Sequence, residues 1–351
     1  MSREYTLTEF GWSAGLSPAN QRFSAQSALD SGERIGWPVH DPVEIDDTPL
    51  DMNVTTTLTG NGKSEIRCAA PQTPILRVQS EYSTVSNIKL NGTNAARTAA
   101  ALIVGPQNND HARYVTIDRI WTPGTHGFGI HVKATGGLTI KGGMVNGTLA
   151  GIRWENTVHS DTGDNKIRGV DINAGNEAGA GIWWTSGGGL LVQQCKLNQG
   201  YNHVKFDNST GNTGTFELVG NSLEGNALIS MDVVGNSWFN RMNIHSNNFG
   251  VLGCAVAVRN YTTSGAAWPW LGGLSIAGNV FQAGQNGANI LDIGCAKDPL
   301  IGANHYQGNG TAPVAVFIRQ QCSGGKVDLT GSLITGCVNS WANYGVGTVG
   351  V

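Results

Sequence analysis

The sequence predicts an all-β protein built as a parallel β-solenoid, and three observations lead to that fold class. The chain has 351 residues, of which 50 are glycine and only 13% are charged, so it is short of good helix formers. Apolar residues recur in two columns at a spacing of about 26 residues. Each pair of columns is followed by a short segment in which apolar and polar residues alternate, as they do in half-buried strands.

Four stretches show the repeat most directly: LVGNSLEG from Leu218, IHSNNFG from Ile244, IAGNVFQ from Ile276 and IGANHYQG from Ile301. In each stretch an asparagine has an apolar residue three positions before it and another two positions after it. The same template can be followed back toward the N-terminus. The first column then contains Val85, Val115, Ile140, Ile167, Val192, Leu218, Ile244, Ile276 and Ile301. The second column contains Leu90, Ile120, Val145, Ile172, Leu197, Leu223, Phe249, Phe281 and Tyr306.

Repeat units with one apolar face cannot bury that face alone, so they stack. We expect each unit to add one coil, with equivalent residues about 4.8 Å apart along the axis. A β-sandwich with accidental spacing is the alternative, but it does not explain why both columns are apolar in every unit. Asn221, Asn247, Asn279 and Asn304 would share one turn, where an inward amide can bond the turn backbone and the asparagines of neighbouring coils. We therefore expect this repetition to be structural.

A further strand follows in each unit, and its alternation predicts which side chains face the core. The predicted inward pairs are Ile130/Val132, Ile152/Trp154, Ile182/Trp184, Val204/Phe206, Ile229/Met231, Val256/Val258, Leu291/Ile293 and Val316/Ile318. The residues predicted to face outward are His131 and Lys133, Arg153 and Glu155, Trp183 and Thr185, Lys205 and Asp207, Ser230 and Asp232, and Ala257 and Arg259.

The ends of a solenoid need caps, because an open end exposes core residues and strand edges. SPANQRFSAQSALDSG predicts a capping helix: Ser17 can cap its N-terminus, Pro18 suits the first helical position, and Gly32 follows its end. The Gly-rich tail from Thr330 to Val351 is expected to close the other end. We predict an N-terminal cap region at 1–50, a parallel β-helix at 51–335 and a C-terminal tail or cap at 336–351.

Composition and charge argue against several classes of protein. A net charge of −3 and a pI near 6.2 do not suit a nucleic-acid-binding protein. No apolar run reaches membrane-spanning length, and MSREYTLTEF lacks the apolar region of a signal peptide, so we expect neither membrane insertion nor a signal peptide in this chain. The six cysteines form no C-x-x-C pair, so we expect reduced, buried thiols, no metal site and no cofactor.

The segment AQSALDSGERIGWPVHDPVEIDDTPLDM, followed by TLTGNG, resembles the N-terminal part of the pectin-lyase-like right-handed parallel β-helix superfamily, most of all that of bacteriophage tailspikes and related polysaccharide depolymerases. The resemblance extends to about residue 335. In one departure, Val39-His40-Asp41-Pro42 follows Pro38, where the family usually has a Pro-x-Gly turn before an aromatic residue. The resemblance implies a right-handed helix, a polysaccharide substrate, a virion-tail or extracellular location and, as in many tailspikes, a homotrimer. It does not fix the activity, since the superfamily includes lyases, hydrolases, epimerases and non-catalytic spikes.

Loop lengths indicate where a polymer could bind. Four connections between the alternating strand and the next unit are longer than the others: Ile152 to Ile167, Val204 to Leu218, Ile229 to Ile244 and Val256 to Ile276. They lie on one edge, and the short connection after Ile182 leaves a gap between them. Long loops around a short one would form a groove, which suits an extended polysaccharide.

Three acids fall in one predicted outward column beside that groove: Glu155, Asp207 and Asp232. Asp207 and Asp232 would lie on adjacent coils, about 5 Å apart in the backbone, and Glu155 and Asp207 would lie two coils, about 10 Å, apart. Glycoside hydrolysis needs one carboxyl group to protonate the leaving oxygen and another to activate water or attack. Glu155 with Asp207 would suit an inverting pair, whose separation is about 6.5–9.5 Å, whereas Asp207 with Asp232 would suit a close pair that shares a proton.

Aromatic and basic residues beside these acids could hold the sugar. The predicted substrate-binding residues are Arg153, His159, Trp183, Lys205, Trp238, Arg259, Trp268 and Trp270. A second acidic set, Asp171 and Glu177, is predicted on another face.

Two other functions stay open at this point. A uronate lyase needs a cation against the substrate carboxylate and a base near the C5 proton, which Arg153, Lys205, Arg259 and His159 could supply; Asp207 with Asp232 could then hold Ca²⁺. A non-catalytic spike or adhesin would bind surface glycans through aromatic residues, and the acids would form ordinary cross-strand ion pairs. Because a binder has no need of several acids beside aromatic residues, we favour a polysaccharide-degrading glycoside hydrolase.

Overall fold

The computed structural model describes residues 4–105, 112–155, 164–175, 179–208, 212–225, 227–235, 238–259, 272–294, 296–319, 322, 324–343 and 349–350. The predicted fold class is confirmed: parallel strands are stacked so that equivalent residues are about 26 positions apart, and one helix lies near the N-terminus. The chain forms two compact units, Met1–Gly175 and Asn176–Val351.

The first unit begins with the strand Glu4–Thr6, the 3-10 helix Leu7–Phe10 and the helix α1, Pro18–Asp30. The cap of α1 is the predicted one, since the backbone N–H of Asn20 donates to Ser17 Oγ at 3.4 Å and proline occupies the first helical position. Gly32 follows the helix with φ +69°, a conformation that favours glycine. Leu29 of α1 is fully buried, so the helix covers apolar surface as a cap should.

The other strands of the first unit form three columns of parallel strands, here called sheets 1, 2 and 3. Sheet 1 contains Arg34–Gly36, Thr57–Thr59, Thr84–Ser86, Thr116–Trp121, Thr139–Gly147 and Asn165–Arg168. Sheet 2 contains Val43–Ile45, Glu65–Cys68, Lys89–Gly92 and Asp171–Ala174, together with the ends of the two long strands of sheet 1. Sheet 3 contains Leu50–Met52, Leu76–Val78, Leu102–Val104, Phe128–Val132 and Ala150–Glu155. Ala112–Arg113 pairs separately with Thr135–Gly136.

The second unit repeats this arrangement. Its sheet 1 contains Leu190–Gln193, Asn212–Val219, Trp238–His245, Leu274–Ala277, Leu300–Ile301, Lys326–Val327 and Val349–Gly350. Its sheet 2 contains Lys196–Asn198, Ser222–Gly225, Asn248–Val251, Val280–Gln282 and the first parts of His305–Ile318 and Leu333–Asn343. Its sheet 3 contains Ala180–Ser186, Asn202–Asn208, Ile229–Gly235, Cys254–Arg259, Leu291–Ile293 and the last parts of those two long strands. Pairing thus continues as far as Gly350. The predicted division at 50 and 335 stays a prediction.

The apolar columns of the second unit have the predicted register. Val192, Leu218, Ile244, Ile276 and Ile301 are successive partners in sheet 1. Leu197, Leu223, Phe249, Phe281 and Tyr306 are successive partners in sheet 2. All ten side chains are at most 1% exposed, so these columns form the core.

The asparagine turn between sheets 1 and 2 is also as predicted. Asn221 donates from its backbone N–H and from Nδ2 to Oδ1 of Asn247, each at 2.9 Å. Asn247 bonds Asn279 and Asn279 bonds Asn304 in the same way. Each Nδ2 also donates to a backbone carbonyl of the preceding coil, for example from Asn221 to Val192 O at 3.0 Å. The repeated asparagine therefore satisfies buried turn backbone and has a structural role.

The predicted register is wrong in two places, each time by two residues. Ile117, and not Val115, pairs with Val85 and Ile140, and Ile120 lies opposite Gly143 instead of continuing the second column. In the second unit, Met231 and Val233 lie opposite Val204 and Phe206, so the inward pair is not Ile229/Met231. A shift of two residues keeps the same alternation of buried and exposed side chains, and only the partner strand selects between the two registers.

The structure also bears on the cysteines and on membrane-spanning helices. Cys68, Cys195, Cys254 and Cys322 are buried, and no disulfide joins the cysteines that the structure describes. Within the same part of the chain, no helix is long and apolar enough to cross a membrane.

Candidate functional site

The outward face of sheet 3 in the first unit carries two of the predicted site residues. Ile130 pairs with Ile152 and Val132 pairs with Trp154, and all four side chains are fully buried. The alternation of the strands therefore turns His131 and Arg153 outward as direct neighbours. Glu155 is the last residue of its strand and has 43% of its side chain exposed. The core packing thus places a carboxyl group at the end of a strand, in reach of a ligand.

His131, Arg153 and Glu155 form one cluster. His131 Nε2 lies 3.0 Å from Glu155 Oε2, and Arg153 Nε lies 4.0 Å from the same oxygen. Burial lowers the pKa of His131 from 6.5 to about 4, against the opposing effect of its hydrogen bond to Glu155, and the neighbouring cations Lys133 and Arg153 lower it further. The imidazole is therefore neutral at pH 7 and donates its Nε2–H to the carboxylate. His131 was predicted to face outward but not to belong to the site, although its position in the outward column beside Arg153 pointed to it.

In the second unit, Trp183, Lys205 and Asp232 are successive outward residues of sheet 3. Lys205 Nζ lies 4.6 Å from the centroid of the Trp183 ring and 3.6 Å from Asp207 Oδ2. Lys205 thus contacts both the aromatic residue and the carboxylate that were predicted beside it. A cation over the face of a tryptophan is a favourable contact, and it holds the ammonium next to Asp207.

The predicted alignment of Asp207 with Asp232 is wrong. Asp232 lies opposite Lys205, and Asp207 lies opposite Val234, because Met231 and Val233 are the inward residues of this strand. Asp232 is almost completely buried, and its two oxygens accept hydrogen bonds from Nε (2.9 Å) and Nη2 of Arg259. Instead of two acids sharing a proton, this part of the sheet contains a carboxylate neutralised by a guanidinium.

The same diagonal ion pair occurs a second time on this face. Arg319 Nε and Nη2 donate to Asp292 at 2.7 and 2.6 Å, and Asp292 belongs to the same outward column as Asp232. Bidentate Arg–Asp pairs between neighbouring coils therefore stabilise the sheet, and Asp232 with Arg259 has this structural explanation. The pair of Asp292 with Arg319 is more exposed and provides a matched control.

The calcium site expected for a lyase does not fit the structure. Both oxygens of Asp232 are engaged by Arg259, so this carboxylate offers no ligand without breaking its ion pair. Over the described ranges, no group of three or more His, Cys, Asp or Glu side chains is close enough to hold a metal ion.

Several predicted features fall outside the described residues. These are His159, Trp268, Trp270 and Glu177, and the connections at 156–163, 209–211, 236–237 and 260–271, which include most of the loops expected to line the groove. Trp238 begins the strand Trp238–His245, and Asp171 begins a sheet 2 strand of the first unit. Glu155 belongs to the first unit and Asp207 to the second, so their separation stays a prediction, as does the groove.

Comparison with known proteins shows the fold. No model of a protein family and no curated protein matches the sequence. The A-module of the mannuronan C-5 epimerase AlgE4 from Azotobacter vinelandii matches 99% of this chain and 100% of its own, with a TM-score of 0.56 and 13% identity. The surface adhesin PfbA of Streptococcus pneumoniae matches 99% of this chain and 100% of its own, with a TM-score of 0.54 and 11% identity. The Dettilon tailspike protein matches 95% of this chain and 68% of its own, with a TM-score of 0.54 and 9% identity.

These likenesses confirm a parallel β-helix fold, which a carbohydrate-active enzyme shares with a tailspike and an adhesin. Identities this low show the fold alone. The activity has to be argued from the residues of this chain.

Proposed function

We propose that the protein degrades a surface or capsular polysaccharide by glycoside hydrolysis, with Glu155 and Asp207 as its two carboxyl groups. The cluster of His131, Arg153 and Glu155 carries the proposal. In this cluster a solvent-facing carboxylate accepts a hydrogen bond from a neutral histidine, on the outward face of sheet 3 of the first unit. The outward column of sheet 3 in the second unit contains Trp183, an aromatic residue that suits a sugar ring. An isolated surface ion pair would not need a half-buried histidine as a third member.

The contacts favour different roles for the two acids. The carboxylate of Glu155 accepts a hydrogen bond from His131 and lies near the guanidinium of Arg153, so it is held in one orientation, as a base that takes a proton from water must be. The second acid, Asp207, is then the one that protonates the leaving oxygen. Its neighbour Lys205 is shared with the ring of Trp183, and a bound sugar that contacts this ring would draw the ammonium away from Asp207. A separate acid and base with water between them is the arrangement of an inverting hydrolase.

One observation favours a second function, β-elimination from a uronate polymer. A neutral His131 beside Arg153 combines a base with a cation that could face the substrate carboxylate, without a metal ion. A third candidate function is that of a glycan-binding adhesin without catalysis. The Asp232–Arg259 and Asp292–Arg319 ion pairs favour it, because they give these two acids a role in stability that requires no catalysis.

A product assay distinguishes the three. The protein is incubated with capsular, O-antigen and uronate polysaccharides, and both new reducing ends and the ultraviolet absorbance of unsaturated uronates are measured. Hydrolysis predicts reducing ends without that absorbance. Reducing ends with it would establish a lyase, and binding without any product would establish an adhesin; either result contradicts the proposal.

Location and assembly belong to the same proposal. The tailspike resemblance supports a virion-tail or extracellular location and a homotrimer. Light scattering of the purified chain tests the trimer, and a monomer at assay concentration would contradict it.

A further inference from the structure

Two tyrosines of the first unit have an unusual backbone conformation. Tyr82 has φ +54° and Tyr114 has φ +55°, in the left-handed region where a Cβ atom is crowded and glycine is favoured. Within the described ranges, no other aromatic residue has a positive φ. Thr84 pairs with Thr116, so the two tyrosines, each two positions earlier, occupy the same turn of neighbouring coils. Bulky residues kept at strained positions point to a function for their side chains.

The two rings lie on the surface and against each other. Tyr82 is 61% exposed and Tyr114 is 58% exposed, and their ring centroids are 5.2 Å apart with an angle of 19° between the planes. On the next coil the equivalent residue is Gly137, where an added Cβ would stand 2.8 Å from Tyr114 Cδ1. Glycine therefore leaves room for the ring. The stack contributes little to the core and forms an aromatic surface that spans two coils.

Polar groups border this surface. Glu81 and Arg113 directly precede the two tyrosines, and Arg113 Nε lies 3.9 Å from Glu81 Oε1, with both side chains well exposed. Aromatic carbon next to charged hydrogen-bonding groups suits a sugar, whose apolar C–H groups pack on a ring while its hydroxyls bond to the neighbouring polar groups.

The stack lies at the edge of the coils between sheet 3 and sheet 1, the edge at which the sheet 3 strand Ala150–Glu155 ends. Tyr114 follows the sheet 3 strand Leu102–Val104, which pairs with Phe128–Val132, which in turn pairs with Ala150–Glu155. At about 4.8 Å per coil, Tyr114 and Glu155 are separated by about 10 Å along the stack, and Tyr82 and Glu155 by about 14 Å. A polysaccharide chain that runs along this edge past Glu155 would reach both tyrosines.

We propose that Tyr82 and Tyr114 form a glycan-binding platform, which holds the polysaccharide two to three coils away from the bond that is cleaved. The proposal deepens the proposed function, because its ligand is the same polymer. It does not depend on cleavage, since a binding protein could use the same platform.

The test is the double variant Tyr82→Gly/Tyr114→Gly in the full chain. Glycine adopts a positive φ without strain, so the variant removes both rings while keeping or raising the melting temperature. Phe23→Ala is the matched control, because Phe23 is a strongly exposed aromatic residue on α1. Binding is measured by surface plasmon resonance on immobilised polygalacturonate, dextran and a bacterial capsular polysaccharide, and KM and kcat are measured on any polymer that is cleaved. We expect the double variant to lose affinity about tenfold or more and to raise KM with kcat unchanged, and Phe23→Ala to match the wild type.

The outcomes separate the platform from the proposed hydrolysis. A double variant that binds within about twofold of the wild type overturns the platform, whether or not the polymer is cleaved. A lower melting temperature with unchanged affinity assigns the tyrosines to structure and also overturns it. If the wild type cleaves none of the polymers but the double variant loses affinity for them, the platform is supported and the proposed hydrolysis is contradicted. A wild-type chain that binds none of the three polymers overturns the platform.

Discussion

Asn247 donates two hydrogen bonds to a single atom, Oδ1 of Asn279, one from its backbone N–H and one from Nδ2, each at 3.0 Å. Nδ2 of Asn247 also donates to Leu218 O at 2.8 Å, on the preceding coil. One side chain therefore satisfies buried groups on three coils. The amide suits this position because it has both a donor and an acceptor, which no apolar side chain of similar size provides.

We predict that Asn247→Leu lowers the free energy of unfolding by about 2–4 kcal/mol, because it leaves buried turn groups, among them the backbone N–H of Asn221, without a partner. Urea unfolding measures the loss. The adjacent Asn248 is exposed, and Asn248→Leu should change the stability by no more than about 0.5 kcal/mol. Equal losses of unfolding free energy in the two variants would show that the hydrogen bonds of the asparagine turn have no special role in stability.

The fold could be predicted from the sequence because the apolar residues of the core recur at a nearly constant spacing of about 26 residues. The two apolar columns were predicted correctly from Val192 and Leu197 onward, because each unit provides one apolar residue at each of the two positions. The prediction of the register failed where two apolar residues, two positions apart, could each face the core. Val115 and Ile117 are both fully buried, and Ile229, Met231 and Val233 alternate without a break, so only the pairing with the neighbouring coil decides.

The candidate site was predicted less well, because it depends on outward side chains. The contact of Lys205 with Trp183 and Asp207 follows the predicted columns. The shift of two residues at Met231 moved Asp232 opposite Lys205, where Arg259 neutralises it. Ion pairs of this kind run diagonally between coils, and a sequence pattern that aligns coils straight across does not reveal them.

The two Arg–Asp pairs allow a matched comparison. Asp232→Asn should lower the unfolding free energy by about 3 kcal/mol, because it leaves the Arg259 charge without its buried partner, whereas Asp292→Asn should cost about 1 kcal/mol at its more exposed position. Thermal or urea unfolding measures both. If Asp232→Asn is the less costly change, the pair with Arg259 is not a structural device.

Buried histidines should make the protein sensitive to acid. His203 is fully buried. Its Nε2 lies 3.0 Å from Glu224 O, and because a carbonyl oxygen only accepts hydrogen bonds, Nε2 carries the proton and donates it. Its Nδ1 then accepts a hydrogen bond from Ser230 Oγ at 2.8 Å. Burial lowers its pKa from 6.5 to about 4, so the unfolded chain binds this proton more tightly than the folded chain. Its contribution to stability is complete above pH 6.5 and is lost as the pH falls from 6.5 through 4.

We therefore predict that the unfolding free energy falls between pH 6.5 and 4, and that His203→Asn reduces this slope. Burial lowers the pKa values of His126 and His131 to about 4 as well, so part of the slope should persist. Urea unfolding at several pH values measures it, with the exposed His245→Asn as control. A slope that His203→Asn leaves unchanged would contradict the assignment.

Trp183 should contribute to binding more than to chemistry. Trp183→Ala removes the ring that lies beside Lys205, and we expect KM on the cleaved polysaccharide to rise about tenfold with little change in kcat, while Trp183→Phe keeps most of the affinity. Steady-state kinetics measures both constants. A fall in kcat alone would assign Trp183 to the reaction instead of to binding.

The measurement that tests the central claim most directly is the turnover of Glu155→Gln and Asp207→Asn on the polysaccharide that the wild type cleaves. Each variant should lose about 10²–10⁴-fold in kcat while it keeps the wild-type affinity and melting temperature. Glu65→Gln, which removes a charge from an ion-paired carboxylate on sheet 2, should retain full activity. Wild-type turnover in both variants would contradict the account, because the two carboxyl groups to which it assigns the chemistry would then take no part in it.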